Sequence, residues 1–367
     1  MSALRFSALA LMVITAGCAS TRAAVPRSSS SSAATTRGLD PELTTYAYPF
    51  EVRFLALDSQ RQKLRMAYMD ERPPRWNGQT VLLLHGKNFS GAYWAPTMRA
   101  LLERGYRVIA PDQVGFGKSS KPEAYQFSFS QLAANTRALL DAAGVDRVAV
   151  VGHSMGGMLA VRFALQNPDR VQRLALVNPI GLEDYQQLVP HRTVDQLYQQ
   201  ELAATPESLR EYQRQAYFAG DWKPEYEPLV EILAGWTQHP EYPRVAWNAA
   251  LTSDMIFTQP VVQDLPRLRT PTLLIIGQRD RTALGRAWAP KEIAQTMGDY
   301  PSLGRRTAQA IPGAKLVELA GVGHIPQVEA FPQYLEALTA FLAQSAVQGG
   351  IRRPVSQSVG GCSALAC

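Results

Sequence analysis

The chain has 367 residues, of which 46% are hydrophobic, and its formal net charge at pH 7 is +6. This length and apolar content are sufficient for one large hydrophobic core. A single α/β domain can be longer than the usual 150 residues. Six arginines near the two ends carry the excess charge, so residues 40–344 are formally neutral and no nucleic-acid partner is expected. These arginines are Arg5, Arg22, Arg27, Arg37, Arg352 and Arg353.

The first 17 residues have the pattern of a signal peptide. Arg5 supplies a positive charge, and residues 8–16 form an apolar stretch that is too short to span a bilayer. The stretch closes with Thr-Ala-Gly-Cys, which resembles a bacterial lipoprotein signal, and cleavage before Cys18 would leave its thiol to carry a lipid anchor. A plain secretory signal with an incidental cysteine is the alternative. The protein is therefore expected to be exported, as an outer-membrane lipoprotein facing the periplasm or as a soluble periplasmic or secreted protein.

The two ends of the chain are interpreted as flexible segments outside the fold. Residues 18–38 contain a run of five serines and are expected to form a tether. Residues 345–367 form a glycine-rich tail that contains Cys362 and Cys367. These cysteines could pair in an oxidising compartment, but two thiols without matching histidines do not predict a metal site.

The folded part opens with a predicted pair of strands between residues 50 and 69, and then with a continuous apolar run at Thr80–Leu84. A run without alternation is typical of a strand that is buried on both faces of a sheet. It leads into the loop His-Gly-Lys-Asn-Phe at residues 85–89. His85 is expected to hold this loop in place rather than to transfer protons.

The next informative stretch reads as a strand, a sharp turn and a helix. The strand is the β-branched run that ends at Val151, and the turn is Gly-His-Ser-Met-Gly-Gly at residues 152–157. This is the setting in which a strained elbow presents a serine hydroxyl above a sheet, so Ser154 is the candidate nucleophile. An ordinary turn that happens to contain serine is the alternative.

Residues 181–266 lack a strand pattern and read as amphipathic helices that are rich in aromatic residues. Together with Phe89 they could line an apolar substrate pocket, although ordinary helix packing is the simpler interpretation of most of them. The strongest pocket candidates are Phe89, Trp222, Trp247 and Phe257. The other candidates are Tyr185, Tyr217, Phe218, Trp236 and Met255.

Two further strands each end in a loop with a titratable side chain. The strand at residues 272–277 leads to Asp280, and the strand at residues 316–319 leads to a glycine-rich loop with His324. Open α/β sheets keep their chemistry beyond the carboxyl ends of the strands. Asp112 also follows a strand, but it is interpreted as structural because Asp280 is the better candidate for the carboxylate of the site.

The sequence contains four motifs: the loop after Thr80–Leu84, the turn with Ser154, and the loops with Asp280 and His324. These motifs and the chain order Ser154, Asp280, His324 resemble the α/β-hydrolase fold, in particular its lid-bearing serine hydrolases. The resemblance covers about residues 48–344. It implies a mostly parallel eight-stranded sheet with helices on both faces and an inserted helical lid. The core would comprise residues 39–180 and 267–344, with the lid at residues 181–266.

The resemblance also implies an oxyanion hole made by the backbone N–H groups of Lys87 and Met155. Ser154 would act as nucleophile, His324 as general base and then acid, and Asp280 as the group that orients the histidine. No cofactor and no metal are expected. The oligomeric state is not predicted.

The expected reaction is hydrolysis of an ester or lactone of a small to medium apolar substrate. Serine at the elbow excludes the dehalogenases and epoxide hydrolases of the same group, because those reactions need a carboxylate nucleophile. Hydrolysis of a C–C bond and a proline iminopeptidase-type activity remain as alternatives. A third alternative is a non-catalytic protein that binds a ligand in the same site.

Overall fold

The protein folds around a single eight-stranded sheet, as a computed structural model shows for residues 38–344. The strand order is β1-β2-β4-β3-β5-β6-β7-β8, and strands β3 to β8 are parallel to one another. The predicted fold class is therefore confirmed. The strands are β1 (Val52–Ser59), β2 (Gln62–Glu71), β3 (Thr80–Leu84), β4 (Arg107–Pro111), β5 (Val148–His153), β6 (Val171–Val177), β7 (Thr272–Gly277) and β8 (Lys315–Leu319).

Twelve α-helices occur in the described residues, and within this range no helix has both the length and the apolar character needed to cross a membrane. The predicted anchor at Cys18 and the cysteines Cys362 and Cys367 lie outside the described range. The helices are α1 (Ala95–Glu103), α2 (Phe129–Ala142), α3 (Met155–Gln166), α4 (Tyr185–Leu188), α5 (Val194–Leu202), α6 (Pro206–Ala216), α7 (Pro228–Thr237), α8 (Tyr242–Thr258), α9 (Lys291–Thr296), α10 (Tyr300–Ala310), α11 (Pro326–Glu329) and α12 (Phe331–Leu342).

The central strand β5 shows why the sheet is buried on both faces. Val148 and Val150 point into the hydrophobic core on one face, and Ala149 and Val151 point into the core on the other. Successive strand residues alternate between faces, so an unbroken apolar run supplies both layers at once. The carboxyl edge of this strand therefore lies inside the molecule, directly before Ser154.

The segment between β6 and β7 is helical, as its sequence pattern predicts, and we call residues 181–266 the helical insertion. Thr193 begins α5 with a capping box, in which its side chain accepts from the Gln196 N–H while the Gln196 side chain accepts from the Thr193 N–H. Thr205 caps α6 with Ser208 in the same way. Such caps satisfy N–H groups that the first helical turn leaves without partners.

Helix α10 has no counterpart in the sequence interpretation, which treats the stretch from Arg281 to Ala310 as a polar connection with one short helix near residues 290–297. The structure has that short helix as α9 and then adds α10 at Tyr300–Ala310. Only Tyr300, Leu303, Gly304 and Thr307 of α10 are buried, and Gly304 lies against Ile276 of the sheet. The helix is polar on average and contains Pro301 and Gly304, so its residue types resemble those of a loop.

A segment of successive turns at residues 38–50, which we call the N-terminal strap, lies against the helical insertion before it reaches the sheet. Leu39 N–H donates to the Gly235 carbonyl over 3.0 Å, and Leu43 is fully buried beside Trp236. Farther along, the Tyr48 hydroxyl donates to Asp112 over 2.7 Å. The strap thus bridges helix α7 and the loop after strand β4.

Candidate active site

The candidate site is built around a strained turn between β5 and α3. Ser154 has φ of 56° and ψ of −123°, a conformation that only a well-supported backbone holds in a residue other than glycine. A Cβ on Gly156 would lie 2.2 Å from the Leu84 carbonyl oxygen, and one on Gly152 would lie 2.3 Å from the Gly156 carbonyl oxygen. Glycine at both positions therefore lets the elbow pack against the neighbouring strand.

The three predicted site residues come together at the carboxyl edge of the sheet. His324 Nε2 lies 3.0 Å from Ser154 Oγ, and His324 Nδ1 lies 2.6 Å from Asp280 Oδ2. Asp280 and His324 have no exposed surface, and Ser154 is 6% exposed. A carboxylate only accepts hydrogen bonds, so Nδ1 carries the ring proton and leaves the Nε2 lone pair facing the serine hydroxyl.

Asp280 is held by neighbours that the sequence interpretation does not include. Its Oδ2 also accepts from Asn178 Nδ2 over 2.8 Å, and its Oδ1 accepts from the Thr282 N–H over 2.7 Å. Asn178 has φ of 35° and accepts from the Gly277 N–H through its own side chain. A polar residue before proline at the end of strand β6 is the sequence signal for this role.

The backbone of His324 is held from two directions. Its N–H donates to the Tyr217 carbonyl over 2.8 Å, and its carbonyl accepts from His153 Nε2 over 2.9 Å. The Tyr217 ring also stacks on the His324 ring, with 4.6 Å between centroids and 29° between planes. A residue of the helical insertion therefore contacts the histidine through both its backbone and its side chain.

His153 is neutral and its tautomer follows from its partners. A carbonyl oxygen can only accept, so Nε2 carries the proton that reaches His324, and Nδ1 accepts from the Tyr93 hydroxyl over 2.9 Å. Complete burial lowers the pKa of His153 well below its ordinary value, and the nearby His324 acts in the same direction. His153 thus links the turn that carries Ser154 to the loop that carries His324.

The predicted oxyanion donors lie at the N-terminus of α3 and in the loop after β3. Met155 is the first residue of α3, and Lys87 is the third residue after β3. Among the described residues, neither backbone N–H makes a hydrogen bond, which leaves both able to donate to a bound oxygen. The Lys87 side chain points away and pairs with Glu201 of the helical insertion over 2.9 Å.

His85 and Asp112 contact backbone groups, in keeping with the structural roles expected of them. The ring of His85 donates from Nδ1 to the Gly86 carbonyl and accepts at Nε2 from the Gln113 N–H over 3.0 Å. Asp112 accepts from the Gly91 N–H over 2.6 Å and from the Lys118 N–H over 2.7 Å. Both side chains thereby fix the loop after β3 relative to the loop after β4.

The four strongest pocket candidates lie in different places. Phe89 lies beside the site, with its ring centroid 5.9 Å from that of His153. Trp222 packs on Phe218 and Tyr226, Trp247 donates to the Glu123 carbonyl, and Phe257 contacts His191. The assignment of these three residues to a substrate pocket stays a prediction. Within residues 38–344, no group of three or more histidine, cysteine or acidic side chains could hold a metal ion.

Comparison with known proteins identifies the same fold family that the sheet topology and the turn at Ser154 indicate. A family model described as the alpha/beta hydrolase fold matches residues 79–331. The chain therefore belongs to the α/β-hydrolase fold family.

The chain is also similar to individual hydrolases. A crystal structure of a "probable hydrolytic enzyme" from Pseudomonas aeruginosa PAO1 is 50% identical, with a TM-score of 0.83, and the match covers 84% of this chain and 99% of that one. The 2-hydroxy-6-oxo-2,4-heptadienoate hydrolase of Pseudomonas putida is 28% identical over 280 residues, which are 72% of this chain and 90% of that protein. An enol-lactonase from Burkholderia xenovorans LB400 shares the fold at 22% identity, with a TM-score of 0.61, over 79% of this chain and all of that one.

Proposed function

We propose that the protein is a serine hydrolase that cleaves an ester or lactone of a small to medium apolar substrate. The observation that carries the proposal is the chain of contacts from Ser154 Oγ to His324 Nε2 over 3.0 Å and from His324 Nδ1 to Asp280 over 2.6 Å. An isolated serine hydroxyl is a poor nucleophile at neutral pH, and a base within hydrogen-bond reach makes it effective.

In the acylation step, Ser154 Oγ forms a bond to the carbonyl carbon while its proton passes to His324 Nε2. The carbonyl oxygen gains negative charge, and the N–H groups of Lys87 and Met155 are the proposed donors to it. His324 then gives its proton to the leaving oxygen as the C–O bond breaks. In the second half, water attacks the acyl carbon while one of its protons passes to the same Nε2. The bond between the acyl carbon and Ser154 Oγ then breaks as Nε2 returns the proton to Oγ, which releases the acid and restores the serine.

The surroundings of His324 support a positive ring during these steps. The ring is fully buried, so the negative charge of Asp280 acts on it through little solvent. Asn178 and the Thr282 N–H together hold both carboxylate oxygens. His153 adds no competing positive charge because it is neutral.

The test is an assay of nitrophenyl esters with increasing acyl length. Ser154→Ala is expected to lower kcat by about 10⁶-fold, as removal of the nucleophile does in serine hydrolases. Ser130→Ala is the matched control, because that exposed serine bonds only to Gln166 among the described residues. A fluorophosphonate should label wild type and Ser130→Ala but not Ser154→Ala. Ester turnover that survives in Ser154→Ala would overturn the proposal.

Hydrolysis of a C–C bond is the second candidate, and the similarity to the Pseudomonas putida dienoate hydrolase favours it. The same three residues would serve, with a carbon rather than an oxygen as leaving atom. Labelling by fluorophosphonate without ester turnover, together with loss of the absorbance of a 2-hydroxy-6-oxo-dienoate, would select this reaction. Ester turnover without loss of that absorbance would reject it.

We also propose that the protein is exported and anchored through a lipid on Cys18, which lies outside the described residues. The charge at Arg5, the apolar residues 8–16 and the position of the cysteine support this proposal. Wild type is expected in the membrane fraction and Cys18→Ala in the soluble fraction of cells. Wild type in the soluble fraction of the periplasm would favour a plain secretory signal instead.

A further inference from the structure

A concave region lies beside the site, and its lining does not include Ser154, Asp280 or His324. It is a groove of about 420 Å³ between the N-terminal strap, the start of α1 and helix α7. We call it the side groove. Its volume falls within the range of small-molecule sites, which is about 300–1,000 Å³. Its apolar lining includes Tyr48, Phe89, Tyr93, Leu229, Ile232 and Val328.

Most polar groups at the side groove already have protein partners. The Tyr46 hydroxyl donates to Glu231 and the Tyr48 hydroxyl donates to Asp112. The Tyr93 hydroxyl donates to His153, and the Asn88 amide donates to Tyr217. A polar ligand would have to displace these hydrogen bonds. An apolar chain can contact the carbon atoms of the same residues and leave the hydrogen bonds intact.

Phe89 lines the side groove and lies close to the nucleophile. A Cβ placed on Gly86 would lie 3.2 Å from Phe89 Cδ2 and 3.1 Å from Ser154 Cβ, so the Phe89 ring and the serine approach the same backbone atom from two sides. Phe89 stacks on Tyr93 at 4.7 Å and lies 6.0 Å from the Tyr217 ring, which in turn stacks on His324. The inner wall of the side groove and the wall of the candidate site are therefore the same aromatic cluster.

We propose that the side groove binds an aliphatic chain of the ester substrate, and that a change in the Phe89 ring position joins it to Ser154. This inference rests on the proposed ester hydrolysis and extends it to the substrate class. The chain could belong to the acyl group or to the alcohol. Each methylene that enters the groove should raise kcat/KM about fourfold, as burial of that group predicts.

Ala47→Phe tests the proposal by filling the groove from its rim. Ala47 lines the side groove and is exposed, so a larger side chain there does not disturb the core. The ratio of kcat/KM for the long-chain ester to that for the acetate ester should fall about tenfold. Ala142→Phe is the matched control, since Ala142 is equally exposed at the end of α2 and lies outside the groove. An equal ratio in Ala47→Phe, Ala142→Phe and wild type would overturn the proposal.

Two ester series identify which end of the substrate the groove holds. One series lengthens the acyl group of a nitrophenyl ester, and the other lengthens the alcohol of an acetate ester. The series whose chain-length preference changes in Ala47→Phe contains the bound chain. Phe89→Ala should increase the dependence on chain length in the same series, because it removes the ring that lies between the side groove and Ser154 in this proposal. Loss of chain-length dependence in Phe89→Ala would contradict the partition role.

A binding measurement separates this inference from the proposed reaction. Trp236 lines the side groove, so a bromoalkanoate bound there should quench its fluorescence. In Ser154→Ala, 8-bromooctanoate should quench saturably and about tenfold more tightly than in Ser154→Ala/Ala47→Phe, and Trp236→Phe in the Ser154→Ala protein should remove the effect. Absence of quenching, or equal affinity with and without Ala47→Phe, would overturn the groove proposal even if ester turnover is found. Quenching without ester turnover would instead retain the groove and reject the reaction.

Discussion

The sheet edge and the helical insertion both contact His324, but they act on different parts of it. The sheet edge supplies Asp280, which reaches the ring through Nδ1 and fixes its tautomer. The insertion supplies Tyr217, which accepts from the backbone N–H and lies against the ring face. One contact concerns charge and the other concerns position, so changes in the two regions should have distinguishable kinetic effects.

The charge contact should have the larger effect. Asp280→Asn is expected to lower kcat by about 10⁴-fold, because an amide can donate to Nδ1 and favour the wrong tautomer. Asp254→Asn is the control, since Asp254 contacts the exposed His191 over 3.5 Å and not His324. The two variants should be compared at several pH values with one ester. A loss in Asp280→Asn no larger than in Asp254→Asn would contradict the assigned role.

The positional contact should matter less. Tyr217→Leu keeps the backbone carbonyl that accepts from His324 but removes the ring face, and misplacement of a reacting group by about 1 Å can cost about 10²-fold in rate. We therefore expect kcat to fall by about 10²-fold. Tyr217→Phe keeps the ring face, loses the hydroxyl contacts with Asn88 and Tyr212, and should restore most of this rate. Equal losses in the two variants would show that the hydroxyl, not the ring, matters.

His153, which links the turn that carries Ser154 to the loop that carries His324, should make the stability of the fold depend on pH. The pKa of His153 is lowered by burial, so the folded chain keeps this ring neutral while the unfolded chain binds a proton below about pH 6.5. Stability from this group is thus fully present above about pH 6.5 and is lost progressively as the pH falls below that value. Urea unfolding at pH 7 and pH 5 should show a smaller change in His153→Gln than in wild type. His191→Gln should match wild type, and a wild-type pH dependence in His153→Gln would refute this account.

The parts of the site that lie at strand ends could be predicted from the sequence. Ser154, Asp280 and His324 each follow an apolar run, and topology alone brings the carboxyl ends of parallel strands to one edge. That placement predicts that the three side chains lie near one another, and the structure shows the contacts of 2.6 Å and 3.0 Å that join them.

Tyr217, Asn178 and helix α10 depend on tertiary packing and show why the rest could not be predicted. Tyr217 is one of many aromatic residues in the helical insertion, and only the folded chain shows that its ring faces His324. Asn178 acquires its role from a left-handed backbone conformation, which a polar residue before proline suggests as a special position but does not specify. Helix α10 is polar on average and contains a proline and a glycine, so its residue types suggest a loop although its buried residues share one face.

The N-terminal strap bears on where a fragment for biochemical work can begin. Leu43 fills a space beside Trp236 and Val245, and Gly38 lies so close to the Gly235 carbonyl that a Cβ there would approach within 2.5 Å. A fragment cut at the first strand would leave this apolar face of the insertion open to water, and such faces promote association between molecules. Shortened versions of the protein should therefore start before Gly38, with any affinity tag placed ahead of that residue.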